Sequence, residues 1–150
     1  MKKIVCLVQK NMFSNKELKK LDDGFKAIYK KNYSQESVNV FWMIMPKGYA
    51  YSERKLSKAT IIMVEVNEDI QKEKREELMR LFSQFLLKSF HVSPLDSLIT
   101  VANSSFVKQF LEAQQNRIHP LYRPWINLKT RTTVIASKLT NGYYRLRVKM

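Results

Sequence analysis

Short apolar runs alternate along the chain with longer segments whose apolar residues recur every three or four positions. The run over 3–9, with Ile4, Val5 and Val8, predicts a buried strand by length and β-branching. Ser14, with Glu17 three residues on, is a capping-box pattern. Behind it Leu18, Leu21, Phe25, Ile28 and Tyr29 mark one face of an amphipathic helix ending near Asn32, with lysines on the other face. Residues 38–45 predict a second strand closed by Pro46 and Gly48, and 49–57 a polar loop. Residues 59–66 predict a third strand. Asn67, Glu68 and Asp69 supply an N-cap and negative charge at the start of a second helix, whose stripe is Leu78, Leu81, Phe82, Phe85, Leu86 and Phe90. Ser93 and Pro94 end it, and 98–102 predicts a fourth strand.

The order is strand–helix–strand twice, a weak internal repeat with the step from Lys3 to Ile61. Right-handed crossovers would make each half a parallel pair. The predicted fold class is therefore α/β, a four-stranded sheet from two β-α-β repeats with both helices on one face. The opposite face would be bare and apolar, which self-association would cover.

A shorter third helix is expected after Ser104 and Ser105, on Phe106, Phe110 and Leu111. From 118 the composition changes. Two β-branched or aromatic runs, 132–139 and 143–149, flank Asn141-Gly142 and predict a β-hairpin. The expected organisation is a double β-α-β domain over 1–117 and a basic extension over 118–150, packed on the same domain or on a neighbouring subunit.

Composition narrows the classes. The 150 residues are 45% apolar, with three glycines and four prolines, so a packed domain is expected rather than a disordered chain. No apolar run is long enough to span a bilayer, and no membrane partner is expected. The run after Lys3 is too short for a signal-peptide core, and the lone Cys6 fits a reducing compartment, so the expected location is cytoplasmic. The net charge of +14 draws anions without naming one.

The pattern over 1–117 resembles the tautomerase superfamily. The most specific part is 57–103, where a strand leads into Lys72-Glu73-Lys74-Arg75-Glu76-Glu77-Leu78. A helix follows, then Phe90-His91-Val92-Ser93-Pro94-Leu95-Asp96 and the strand Leu98-Ile99-Thr100-Val101. Its spacing is similar to the malonate semialdehyde decarboxylase and cis-3-chloroacrylic acid dehalogenase groups. The resemblance implies two β-α-β units and a homotrimer. It also implies catalysis by an amino-terminal proline, whose secondary amine acts as base, acid or nucleophile. Here the second residue is Lys2, which is too large for efficient removal of Met1. Where decarboxylase-like relatives carry arginines after the third strand, this chain has Asn67-Glu68-Asp69, which repels a carboxylate. The expectation is a protein without proline-dependent activity, binding at most a small 2-keto acid or another anion.

Candidate chemistry is sparse. Met1 and Lys2 are the candidates for a catalytic amine; a solvated strand start is the competing role for Lys2. Tyr49, Tyr51 and Arg54 lie in the inter-unit loop, where a phenol can hydrogen-bond an enol and a guanidinium can clamp a carboxylate; an ordinary crossover loop is the alternative. His91 and His119 have no metal-ligand spacing, His91 suits a helix end, and Cys6 reads as core. No metal site or cofactor is expected. In the last segment Arg145, Arg147 and Lys149 share one strand face, which would let it track nucleic acid or an acidic partner; a solvated edge is the competing reading.

Overall fold

The computed structural model describes residues 1–48, 51–52, 55–56 and 59–147. β1 (Lys2–Gln9) alternates as expected of a strand with one covered face, burying Ile4, Cys6 and Val8. The capping box forms: Ser14 Oγ accepts the Glu17 N–H at 3.2 Å and Glu17 Oε2 accepts the Ser14 N–H at 2.8 Å. It opens α1 (Asn15–Asn32), which buries Leu18, Leu21, Phe25 and Tyr29. β2 (Val38–Met45) runs parallel to β1, with Ile4 opposite Val40 and Cys6 opposite Trp42.

A two-residue ribbon of β3 (Tyr51–Ser52) and β4 (Lys55–Leu56) follows. β5 (Thr60–Val66) pairs antiparallel with β1. α2 (Lys72–Phe90) and a 3₁₀ turn (Pro94–Asp96) lead to β6 (Ser97–Asn103), parallel to β5. α3 (Ser104–Asn116), a second 3₁₀ turn (Pro120–Tyr122), α4 (Arg123–Asn141) and β7 (Tyr144–Arg147) complete the chain. The mixed sheet has the order β6-β5-β1-β2-β7.

α1 and α2 share one core against the inner sheet face, where Ile4, Cys6, Val8, Val40, Trp42, Ile62 and Val64 point. Phe25 lies 5.9 Å from Trp42 and 4.9 Å from Phe82, ring centre to ring centre. The helices meet closely at Gly24, where a Cβ would sit 2.1 Å from Phe85 Cζ. The outer face carries Val5, Leu7, Phe41, Met43, Ile61 and Met63, none of them fully buried.

Three expectations are corrected. The hairpin over 132–149 is absent: its first arm belongs to α4, and Asn141-Gly142 is a helix end. Gly142 has φ 76°, the left-handed conformation a glycine reaches without steric cost, and its N–H donates to Lys138 O. Within the helical run the Thr132 and Thr133 hydroxyls donate to Lys129 O. The sheet accordingly has five strands instead of four, since β7 joins β2 in parallel. Finally, α2 starts five residues after Asn67, from Gln71 as N-cap, which makes no side-chain cap bond. The Glu68 carboxylate instead accepts the Ser105 N–H and hydroxyl at the start of α3.

Candidate functional site

The chemistry gathers at the end of the sheet where β1 begins and β5 and β6 finish. Carboxyl ends of strands in open α/β sheets are where ligands usually meet the fold, because loops and helix starts converge there. Asn103-Ser104-Ser105 joins β6 to α3, and each residue of the triplet has a polar partner. Asn103 Oδ1 accepts from Arg75 Nη2 at 2.5 Å. Ser104 Oγ accepts from Lys2 Nζ at 2.7 Å and donates to Val66 O at 3.1 Å. Ser105 donates to Glu68 through its N–H at 2.6 Å and its hydroxyl at 2.9 Å. The arrangement follows from β pairing: antiparallel β5 brings Val66 to the start of β1, and parallel β6 ends beside it.

Lys2, Arg75, the Glu68 carboxylate and two hydroxyls thus meet around one short connection, and a second carboxylate, Glu65, accepts the Lys3 N–H at 3.1 Å nearby. Hydrogen bonds from the Ser105 N–H and hydroxyl hold the Glu68 carboxyl below the usual glutamate range, with smaller help from Asn103 and Lys2. Beside Asn67, whose N–H donates to Tyr33 Oη at 2.6 Å, lies a cavity of about 380 Å³ lined by Tyr33, Ser34, Asp69, Gln71 and Lys74.

Of the residues singled out from sequence, Lys2 stands inside this cluster. Its N–H also donates to Ser37 O at 3.2 Å. Met1 is largely exposed, its Sδ 3.1 Å from Asn39 Nδ2. Tyr49, Arg54 and Lys149 lie outside the described residues, and Tyr51 is described only as part of β3. Arg145 Nη1 donates to Asn15 Oδ1 at 3.1 Å, a neutral acceptor that leaves the guanidinium charge in place and also accepts from Tyr143 Oη at 3.1 Å. Arg147 is exposed. His91 is the left-handed cap of α2, its φ 54°. Cys6 is buried, and burial, then the Asp22 charge, pushes its thiol well above the usual range, which keeps it un-ionised. Sequence reasoning misses Arg75, Asn103 and the serine pair as partners of Lys2. Their only signal is small polar residues at a strand's carboxyl end, and only pairing brings them to Lys2.

A groove of about 800 Å³ separates α4 from β7, with Lys129, Thr133, Thr140, Arg145 and Arg147 along it and no acidic residue. An apolar cavity of about 320 Å³ lies between α4 and the outer sheet face, against Val5, Phe41, Met43, Leu111 and Val134. Among the described residues no cluster of His, Cys, Asp and Glu is placed to hold a metal ion, and no helix is long and apolar enough to cross a membrane.

No protein-family model matches the chain, and no curated protein sequence matches it. Solved structures match its fold. A member of the cis-3-chloroacrylic acid dehalogenase family matches with a TM-score of 0.61 at 8% identity, over 67% of this chain and 73% of that one. A fused 4-OT, solved as a symmetric trimer, gives 0.59 at 9% identity over 67% and 84%. Malonate semialdehyde decarboxylase gives 0.56 at 11% identity over 67% and 83%. At these identities the likeness is one of fold.

Proposed function

We propose that this chain, whose fold is that of the tautomerase superfamily, binds a small anion such as a 2-keto acid without that superfamily's proline chemistry. The observation that carries the reading is Lys2. It occupies the start of β1, where the resemblance calls for a proline, and its amine is engaged as a donor to Ser104 Oγ at 2.7 Å. An amine held this way favours binding over abstraction of a substrate proton. Arg75 offers a second cation, bonded to Asn103 next to Ser104 in the chain, and a guanidinium suits a carboxylate. Glu68 opposes an anion, since the Ser105 hydrogen bonds favour its ionised form, and the Lys2 and Arg75 cations must outweigh it. The loop that carries Tyr49, Tyr51 and Arg54 joins the ends of β2 and β5 opposite Lys2, so in this reading these residues reach the ligand from a neighbouring subunit of a homotrimer, the assembly in which the fused 4-OT was solved.

Calorimetric titration with pyruvate and phenylpyruvate tests the site. Saturable binding that weakens at least tenfold in Lys2→Ala and in Arg75→Ala is expected. Binding indifferent to both substitutions would remove the site from this end of the sheet.

A second reading is favoured by the α4–β7 groove, which holds Lys129, Arg145 and Arg147 and no carboxylate. A non-enzymatic module engaging nucleic acid there would be retained on single-stranded DNA with a steep salt dependence, weakened in Arg147→Ala. Retention insensitive to salt would count against it.

A further inference from the structure

α4 turns its large apolar residues away from the sheet. Trp125, Leu128, Ile135 and Leu139 are each more than half exposed, whereas Thr130 and Val134 are half-buried and line the cavity of about 320 Å³ beneath the helix. Their short side chains leave that space unfilled. Its floor is the outer sheet face, with Val5, Met43 and Leu146 beside Phe41 and Tyr144, whose rings stack at 5.0 Å across neighbouring strands. Phe106, Phe110, Leu121 and Tyr122 are also exposed, as are Leu95 and Leu98. None of these lines any of the three cavities, so they would not enclose an apolar ligand.

The charged residues of the lining all have one sign: Lys3, Arg131 and Arg145. Arg145 is held by Asn15, and no ion pair among the described residues uses Lys3 or Arg131. Lys138 adds a cation, its Nζ 5.0 Å from the centre of the Tyr144 ring. Two carboxylates stand near but outside the lining. Glu65 accepts the Lys3 N–H at 3.1 Å, and Glu112, next to Leu111 in the chain, faces Lys108 at 4.0 Å. Even with Glu65 set against Lys3, Arg131 keeps an uncompensated charge.

We infer that this cavity is a binding site for a fatty acid of medium chain length, its chain lying on the Phe41–Tyr144 floor and its carboxylate meeting Arg131. An apolar enclosure with a few polar groups at fixed places is the usual form of a small-molecule site. Size sets the chain length. An apolar cavity of about 150 Å³ admits benzene, so one of about 320 Å³ admits roughly a dozen heavy atoms, the size of decanoate. Charge sets the head group, because a guanidinium pairs with a carboxylate through two parallel hydrogen bonds. The site lies on the opposite flank of α4 from the basic groove, which Lys129, Thr133 and Thr140 line. It shares no residue with the anion site at Lys2, and it stands or falls independently of that site.

Calorimetric titration of the full chain with decanoate and with decanol, both kept below their aggregation limits, tests it. Decanoate should bind saturably, one per chain, and about fivefold more tightly than decanol, the factor that one solvent-exposed ion pair supplies. Arg131→Gln should remove that factor for decanoate and leave decanol unchanged. Val134→Trp fills the cavity and should weaken both ligands at least tenfold. Should that variant not fold, Leu111→Trp fills the same space from α3 and should do likewise. Lys2→Ala should bind decanoate as the native protein does. No saturable binding would overturn the site. Binding untouched by a folded cavity-filling variant would place the ligand on an exposed surface such as Phe106 and Phe110, and loss in Lys2→Ala would place it in the anion site; either would overturn the inference. An Arg131→Gln variant that binds decanoate as tightly as the native protein, or that loses decanol equally, would overturn the role of the carboxylate.

Discussion

Cys6 and Glu68 are side chains whose environments set their chemistry, in opposite directions. Cys6 is fully buried opposite Trp42, and its thiol is pushed well above the usual range by burial and then by the Asp22 charge. A thiol reagent should therefore leave it untouched in the folded protein and modify it fully in denaturant; rapid native modification would contradict its burial. Glu68 is exposed, yet Ser105 holds its carboxyl below the ordinary value near 4.3. A carboxyl lowered on folding adds stability above its unfolded pKa and loses it as pH falls through the folded value. Melting curves from pH 6 to 3 should thus fall more steeply in the native protein than in Glu68→Gln; parallel slopes would show that the Ser105 contact contributes nothing. The role of Cys6 was legible in the sequence, because a cysteine in a β-branched run reads as core. The role of Glu68 was not. Next to Asn67 and Asp69 it reads as a cap for the helix that follows, and only the pairing of β5 with β6 turns it towards Ser105.

Among the elements, α1 and the first β-α-β unit are read correctly from local pattern, because capping, periodicity and burial agree there. The α1–α2 packing rests on Gly24. Alanine there gains about 1 kcal/mol in helix propensity, but its Cβ would lie 2.1 Å from Phe85 Cζ. The Phe85 ring is held by Phe25 and Phe90, at 5.8 and 5.7 Å, and overpacking costs about 2 kcal/mol. Gly24→Ala should therefore lower the urea midpoint, and an unchanged or raised midpoint would mean that the ring yields freely. α4 is where local pattern misleads. Asn-Gly between β-branched runs is a hairpin signal, but the same Gly with φ 76° ends a helix equally well. The Thr132 and Thr133 hydroxyls find acceptors within the helix, at Lys129 O, and β7 gains a neighbour in β2 that no local pattern reveals. Gly142→Ala should cost about 1 kcal/mol, the left-handed penalty for a side chain.

For the whole molecule, the sequence implies an uncovered sheet face, and the outer face remains partly open at Ile61 and Leu98 even with α4 in place. In the proposed reading the functional end of the sheet is the one where Lys2 meets Ser104 and Arg75 meets Asn103. Sequence points to Lys2 because it stands where a proline is expected. Its partners lie far along the chain and meet it only through the order β6-β5-β1.

The most direct measurement is the ketonisation rate of an aryl enolpyruvate with the native protein beside a Lys2→Pro variant. The account predicts no acceleration by the native protein, and activity in the variant if the pocket lacks only its base. Acceleration by the native protein that is lost in Lys2→Ala would contradict it, because Lys2 would then be working as a proton-transfer group and the protein would be an enzyme.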